Sequence, residues 1–365
     1  MTAYEELTTW FRGDSAGLLS RAALEVARRH GVHLLVAERA HRAGAAGPEQ
    51  IEGYAALPRE LRTAAMIEAA RARELQRVVD ALADSSIRTL VFKGAALAYS
   101  VYPEPYLRPS SDFDILIRTG DRERAFNVLS HAGYEPAARI TGDLIMPQRC
   151  MTRRAGLVTH TLDVHWKLVN PVLYSDRLTF DSLWTRAVSV PRLTAHARMP
   201  ALADHLLISC LHRIAHHQNA DDLLWLYDIH LLARALDEHQ RQAAITRARS
   251  TKLTAICALG VRMADAAFGG VDPSFLRAFE AATDEDMPDA FLSPDSTQVS
   301  LFQQDWRALR GIAPRIELLR QHLFPSATYI RAVYPRMPAP MLPLAYALRV
   351  CRGAPRWFVS RSETK

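Results

Sequence analysis

Lysine is almost absent from this chain of 365 residues: among 45 basic residues only Lys93, Lys167, Lys252 and Lys365 are lysines. Against that arginine background, a lysine beside a glycine asks for a compact ammonium, which draws attention to Lys93. Cysteine is sparse as well. Cys150, Cys210, Cys257 and Cys351 lie far apart with no Cys-x-x-Cys pair, which excludes a disulfide framework and a cysteine-rich zinc site and fits the cytoplasm. Long apolar runs are missing: the longest nearly uncharged one, Met337 to Leu348, is too short to span a bilayer and is broken by Pro338, Pro340 and Pro343. Residues 1 to 17 carry Glu5, Glu6 and Asp14 with no basic start leading into an apolar stretch, so no export signal is expected there. There is no internal repeat and no low-complexity tract. These absences describe a soluble, cytoplasmic protein with no membrane span.

What is present suffices for a large core, since 49% of residues are hydrophobic and the length allows two or three units of ordinary domain size. The net charge of +6 suits an acidic partner such as a nucleotide or nucleic acid, although acids balance arginines over most of the chain. Only residues 311 to 365 are one-sided, with nine basic residues against Glu317 and Glu363.

Three regions are expected. Residues 1–85 read as helical, most clearly from Pro58 to Ala83, where Leu75, Val78, Val79 and Leu82 share one helical face. Residues 86–199 read as a small sheet of about five strands. Ile87–Phe92 has buried-strand content, Gly94 breaks it before a short helix, and Pro103, Pro105 and Pro109 shape a loop carrying Arg108 to the next strand. A helix from Asp121 to Ala132 closes at Gly133, strands are expected over 144–151 and 157–166, and a hairpin over 188–199. Residues 200–365 return to helical periodicity, interrupted by a loop from Asp284 to Thr297 and ending in the basic tail. The fold class is therefore α+β, a small mixed sheet flanked by helical regions on both sides.

Chemistry concentrates in that sheet. In Ser111-Asp112-Phe113-Asp114-Ile115 the two carboxylates are separated by one residue, so on a strand they project to the same face. Asp163, in Leu162-Asp163-Val164-His165-Trp166, supplies a third carboxylate on a later strand. Three such groups are a ligand set for Mg²⁺, with Mn²⁺ as the alternative ion. In that reading Asp112 and Asp114 hold the nucleotide-bound ion, while Asp163 shares a second ion or accepts the proton of an attacking hydroxyl. Gly94 would let backbone amides approach a triphosphate at a helix start, with Lys93 and Arg108 adding positive charge.

At these residues the chain resembles the DNA polymerase β-like nucleotidyltransferase superfamily: a glycine turn after a strand, an Asp-x-Asp pair, and a third Asp on a later strand. Lys93-Gly94, Arg108, Asp112 to Leu116, Gly133-Tyr134, Asp163 to Trp166 and Trp225 to Ile229 are closer still to the bacterial family called uncharacterised nucleotidyltransferases. The resemblance runs from Met66 into the tail, through Leu323 to Ser326 and Tyr334-Pro335. It implies a magnesium-dependent enzyme that moves NMP from an NTP, ATP first, to a hydroxyl of a small-molecule, peptide or protein acceptor, releasing pyrophosphate. One departure counts: the superfamily places serine after the turn glycine, and this chain has Ala95. Two alternatives follow, a catalytically silent nucleotide- or partner-binding protein that kept the fold, and an RNA-directed transferase, with nucleic acid the less favoured acceptor.

Other polar residues receive structural readings. His165 alternates with Asp163 and is read as a structural histidine beside the site, outside the metal set. His212 and His216 have the i, i+4 spacing of zinc helices but lack the adjacent glutamate, so they read as packing or cleft lining. Asp228 is expected to orient a helix or a neighbouring polar side chain, Asp221 and Asp222 to start a helix, and Trp225 and Tyr227 to pack in a core.

Overall fold

The structure, a computed structural model, describes residues 1–14, 18–44, 48–156, 158–217, 219–282 and 296–359. In chain order the elements are α1 (Ala3–Arg12), α2 (Arg21–Arg29), α3 (His33–Arg42), α4 (Leu57–Asp84), β1 (Thr89–Phe92), α5 (Lys93–Ser100), β2 (Phe113–Ile117), α6 (Arg122–His131), β3 (Glu135–Pro136), β4 (Gln148–Ala155) and β5 (Val158–His165). Two short helices follow, α7 (Val172–Ser175) and α8 (Phe180–Trp184), then β6 (Val188–Ser189) and β7 (Arg198–Met199). The rest is helical: α9 (Leu202–His217), α10 (Leu223–Ala235), α11 (Glu238–Ser250), α12 (Thr254–Phe268), α13 (Pro273–Ala281), α14 (Gln298–Ala308), α15 (Ile312–Leu323), α16 (Ala327–Val333) and α17 (Leu342–Gly353). The expected loop over 284–297 lies outside the described residues as far as 295.

Packing divides the chain into two compact units. One comprises Met1–Asp114, Leu183–Leu211 and Asp221–Glu285, the other Ile115–Ser182, His212–Ala220 and Asp286–Lys365, so the division falls inside β2. The fold is α+β, with a mixed sheet in the order β1-β2-β5-β4-β3.

In the first unit, α1 is stopped and started by its own sequence. Thr2 and Glu5 form a reciprocal capping box at its start, and Gly13 ends it at φ 83°. The long α4 buries Arg71, Leu75, Val78, Val79 and Leu82, one stripe at spacings of three and four, and each apolar member contributes about 1.5–3 kcal/mol by leaving water. β1 and β2 are buried throughout, which explains why their residues are apolar apart from Thr89 and Asp114. Asp222 starts α10 by accepting a hydrogen bond from the Leu224 N–H, as its position suggests.

In the second unit, β4 and β5 form an antiparallel ladder that sets Cys150 opposite Asp163 and Gln148 opposite His165. The fourth strand begins at Gln148, four residues later than its sequence suggests, because Gly142 and Met146 first close a small turn by exchanging backbone hydrogen bonds. The hairpin over 188–199 forms, but as a separate two-stranded sheet. The fifth strand of the main sheet is instead β3: Gly133 takes φ 85° after α6, reversing the chain so that Glu135 pairs with Thr152. A two-residue strand that ends in proline is a protected edge.

Candidate functional site

The turn between β1 and α5 is built differently from a simple glycine turn. Its left-handed residue is Lys93, at φ 53°, a conformation that costs a side-chain-bearing residue about 1–2 kcal/mol. Two contacts hold it there. The Lys93 backbone N–H donates to His205 Nε2 at 3.0 Å, and Lys93 Nζ donates to Asp114 Oδ1 at 2.8 Å. His205, on α9, is fully buried, and burial pushes its imidazole down to about 3, so near neutral pH it is the uncharged acceptor that this hydrogen bond requires.

Gly94 has a reason of its own. A Cβ at this position would lie 2.6 Å from Arg108 Nη1 and 2.8 Å from Arg108 Cζ, so the space a side chain would take is filled by a guanidinium. Arg108 is buried and paired with the buried Asp228: Nη2 donates to Oδ2 at 2.7 Å and Nε to Oδ1 at 3.2 Å, while Nη1 donates to the Pro109 carbonyl at 2.9 Å. Tyr102 donates its hydroxyl to Asp228 Oδ1 at 2.8 Å. Burial alone would lower the Arg108 pKa, but the charge of Asp228 and its hydrogen bond override that and hold it above the ordinary range. Asp228 thus orients neighbouring polar side chains, as its sequence position suggests. Arg108 backs the turn from within, with three of its donors already used.

Of the predicted carboxylates, Asp114 is held in the first unit by Lys93, while Asp163 lies in the second unit with His165. One ligand atom of Asp163 lies within 4.8 Å of one of His165, and both side chains are buried. Asp163 Oδ2 accepts from Gln148 Nε2 at 2.8 Å, whereas Oδ1 is buried without a hydrogen-bond partner. An orphaned carboxylate oxygen beside an imidazole fits a divalent cation, which would satisfy it. Asp112 is outside this group. Its half-buried carboxylate accepts from Ser110 Oγ at 3.3 Å, and its carbonyl accepts from Ser110 Oγ at 2.9 Å and Arg71 Nη2 at 2.8 Å.

Arg71 and His205 are the supporting residues that sequence reasoning missed. Arg71 lies one helical turn before Leu75, so the apolar stripe of α4, extended backwards, points to it; its guanidinium sits 4.3 Å over the Phe113 ring. His205 follows Asp204 in the first turn of α9, ahead of the apolar Leu206–Ile208 run, and both are buried. Asp204 pairs with Arg186 and Arg247, which satisfy its buried carboxylate inside the unit. Of the three clustered histidines, His216 accepts from the Asn170 N–H at 3.3 Å, and His212 lies tilted against His216 and edge-on to His217 with ring centres 4.8 Å away, in keeping with packing.

A strand–lysine–glycine–helix turn in one unit and a buried aspartate with an orphaned oxygen in the other are features that suit an enzyme handling nucleotides. Residues 20–269 match the family described as uncharacterised nucleotidyltransferase, and the chain belongs to that family. The match starts earlier and stops earlier than the resemblance seen in the sequence, leaving the helices after α12 outside it. The protein is therefore a nucleotidyltransferase. No curated protein matches the chain.

Proposed function

We propose that the protein transfers NMP from an NTP, with ATP the first candidate, to a hydroxyl of a small-molecule, peptide or protein acceptor. The carrying observation is the buried Asp163, whose Oδ1 has no hydrogen-bond partner, close to the buried His165. We assign the catalytic core to residues 86–199, in the manner of the polymerase β-like superfamily. Asp114 and Asp163 hold a divalent cation, Mg²⁺ first, with His165 joining them and Asp112 contributing from the residue before β2. When bound, such a cation neutralises triphosphate charge and favours the alkoxide form of the acceptor.

The residues of the chain account for the rest. The acceptor oxygen attacks the α-phosphorus, the bond to the bridging oxygen of pyrophosphate breaks, and the acceptor proton passes to a carboxylate, for which Asp163 is the candidate. Lys93 stands beside Asp114 and is placed to meet the triphosphate with a point charge. The missing turn serine is made up by this ammonium, since Ala95 is buried in α5 and offers no donor. Arg108 acts by fixing the turn through Gly94 and Asp228.

Pyrophosphate release from each NTP, with Mg²⁺ and a small-molecule extract as acceptor, tests the proposal. Asp114→Asn and Asp163→Asn should each lower the rate about a hundredfold or more while the chain stays folded. Release that persists at the parent rate in either variant would refute it.

A further inference from the structure

The helices from α15 onwards lie outside the family match and are unusual for the apolar surface they leave in water. Of the large hydrophobic residues exposed in the described chain, most are here: Ile312, Ile316, Leu319, Phe324, Val333, Met341, Leu344, Val350, Phe358 and Val359. Ile312, Ile316 and Leu319 follow the i, i+4, i+7 spacing that defines one face of α15, and Ile312 is 75% exposed. Five of the ten are contiguous through shared cavities. Leu319, Val333, Val350 and Phe358 line one open apolar cavity of about 520 Å³, and Val333 and Met341 line a second of about 620 Å³. Arginines edge the same cavities, Arg349 and Arg352 at the first and Arg336 at the second.

Contiguous exposed apolar surface of this kind marks a contact with something else. Charge selects among the candidates. Residues 311 to 365 carry nine basic side chains against two acidic ones, so a second copy of the same face would be repelled. A nucleic acid would match the charge but leave the isoleucines, leucines and phenylalanines without a counterpart. An anionic bilayer satisfies both features: apolar side chains enter the headgroup and acyl boundary while arginines extend to lipid phosphates. The aromatic lining of the first cavity, Phe302, Tyr329, Tyr334, Trp357 and Phe358, is the composition favoured at that boundary, and its volume can take part of an acyl chain. Among the described residues no helix is long and apolar enough to cross a membrane, so the contact is peripheral. We infer that the helices of residues 312–359 dock the enzyme on an anionic membrane surface.

Co-sedimentation of the full chain with phosphatidylcholine vesicles, with and without phosphatidylglycerol, tests this. Binding is expected only with the anionic lipid and falls as salt rises. Ile316→Ser with Phe358→Ser, both at exposed positions, should weaken partitioning about tenfold for each side chain, and Arg331→Gln with Arg336→Gln about fivefold for each charge. Met66→Ser with Ile67→Ser, equally exposed on α4, should bind as the parent does. All three double variants should release pyrophosphate at the parent rate in the absence of lipid, which separates this inference from the reaction itself. Equal binding to both vesicle types, loss with the α4 pair, or concentration-dependent dimers abolished by Ile316→Ser and Phe358→Ser would overturn it.

Discussion

Replacing Asp228 by asparagine separates a structural role of Arg108 from a direct one. The Asp228 carboxylate accepts from Arg108 Nε and Nη2 and from the Tyr102 hydroxyl, and all three side chains are buried. Asparagine keeps the shape but removes the charge and one of the oxygens. The guanidinium then stays inside the unit without its paired carboxylate, a loss worth about 3–5 kcal/mol where a buried pair is broken from one side. Arg108→Met should cost a similar amount by stranding the carboxylate. The double variant Arg108→Met with Asp228→Asn should cost less than either single one, because no buried charge is left alone, so the coupling energy should be at least the cost of one single variant, about 3–5 kcal/mol. Urea unfolding of the parent, the two single variants and the double variant measures each quantity. A cost below about 1 kcal/mol for Asp228→Asn, the level of an exposed pair, would refute the structural role. Additive single costs with a large drop in ATP affinity for Arg108→Met alone would assign Arg108 to the phosphates instead.

The remaining predictions concern single contacts. Gly94→Ala should destabilise by about 1–3 kcal/mol, because its Cβ would press on the fixed Arg108 guanidinium; glycine to alanine in an open helix stabilises by about 1 kcal/mol, and a rise in Tm would contradict the contact. His205→Phe leaves the Lys93 N–H without its acceptor and should lower stability by about 1–3 kcal/mol, while a variant as stable as the parent would show that the hydrogen bond is dispensable. Asp305, on α14, accepts from the Val172 N–H, and burial raises its pKa from 3.8 to about 7. Since the folded value is the higher one, its contribution is complete below pH 4 and is lost as pH rises to about 7, by up to about 4 kcal/mol. Asp305→Asn should flatten this part of a stability profile measured against pH, and an unchanged slope would refute the assignment.

Much of the site can be read directly from residue order. The apolar run before Lys93-Gly94 and the alternation around Asp114 and Asp163 place their strands, because burial on both faces leaves an unmistakable composition. What sequence could not show is which gap each residue fills. Gly94 reads as the residue that lets backbone amides approach a triphosphate, yet the space it leaves is filled by Arg108, a contact across 14 positions, and the left-handed residue of the turn is Lys93. His165 shares the alternation of Asp163 and still looked structural, because only the register of β5 in the sheet reveals its companions. The hairpin over 188–199 was visible as a hairpin, whereas its separation from the main sheet depends on long-range pairing that local propensity does not encode.

The position of a transferred label tests the central claim most directly. With the full chain, Mg²⁺ and a small-molecule extract, radioactivity from ATP labelled at the α-phosphate should pass to an acceptor, and radioactivity from the γ-phosphate should leave in pyrophosphate. Asp114→Asn and Asp163→Asn should abolish the first transfer. Label reaching the acceptor from the γ-position, or α-label transfer that survives both substitutions, would contradict nucleotidyl transfer at this cluster.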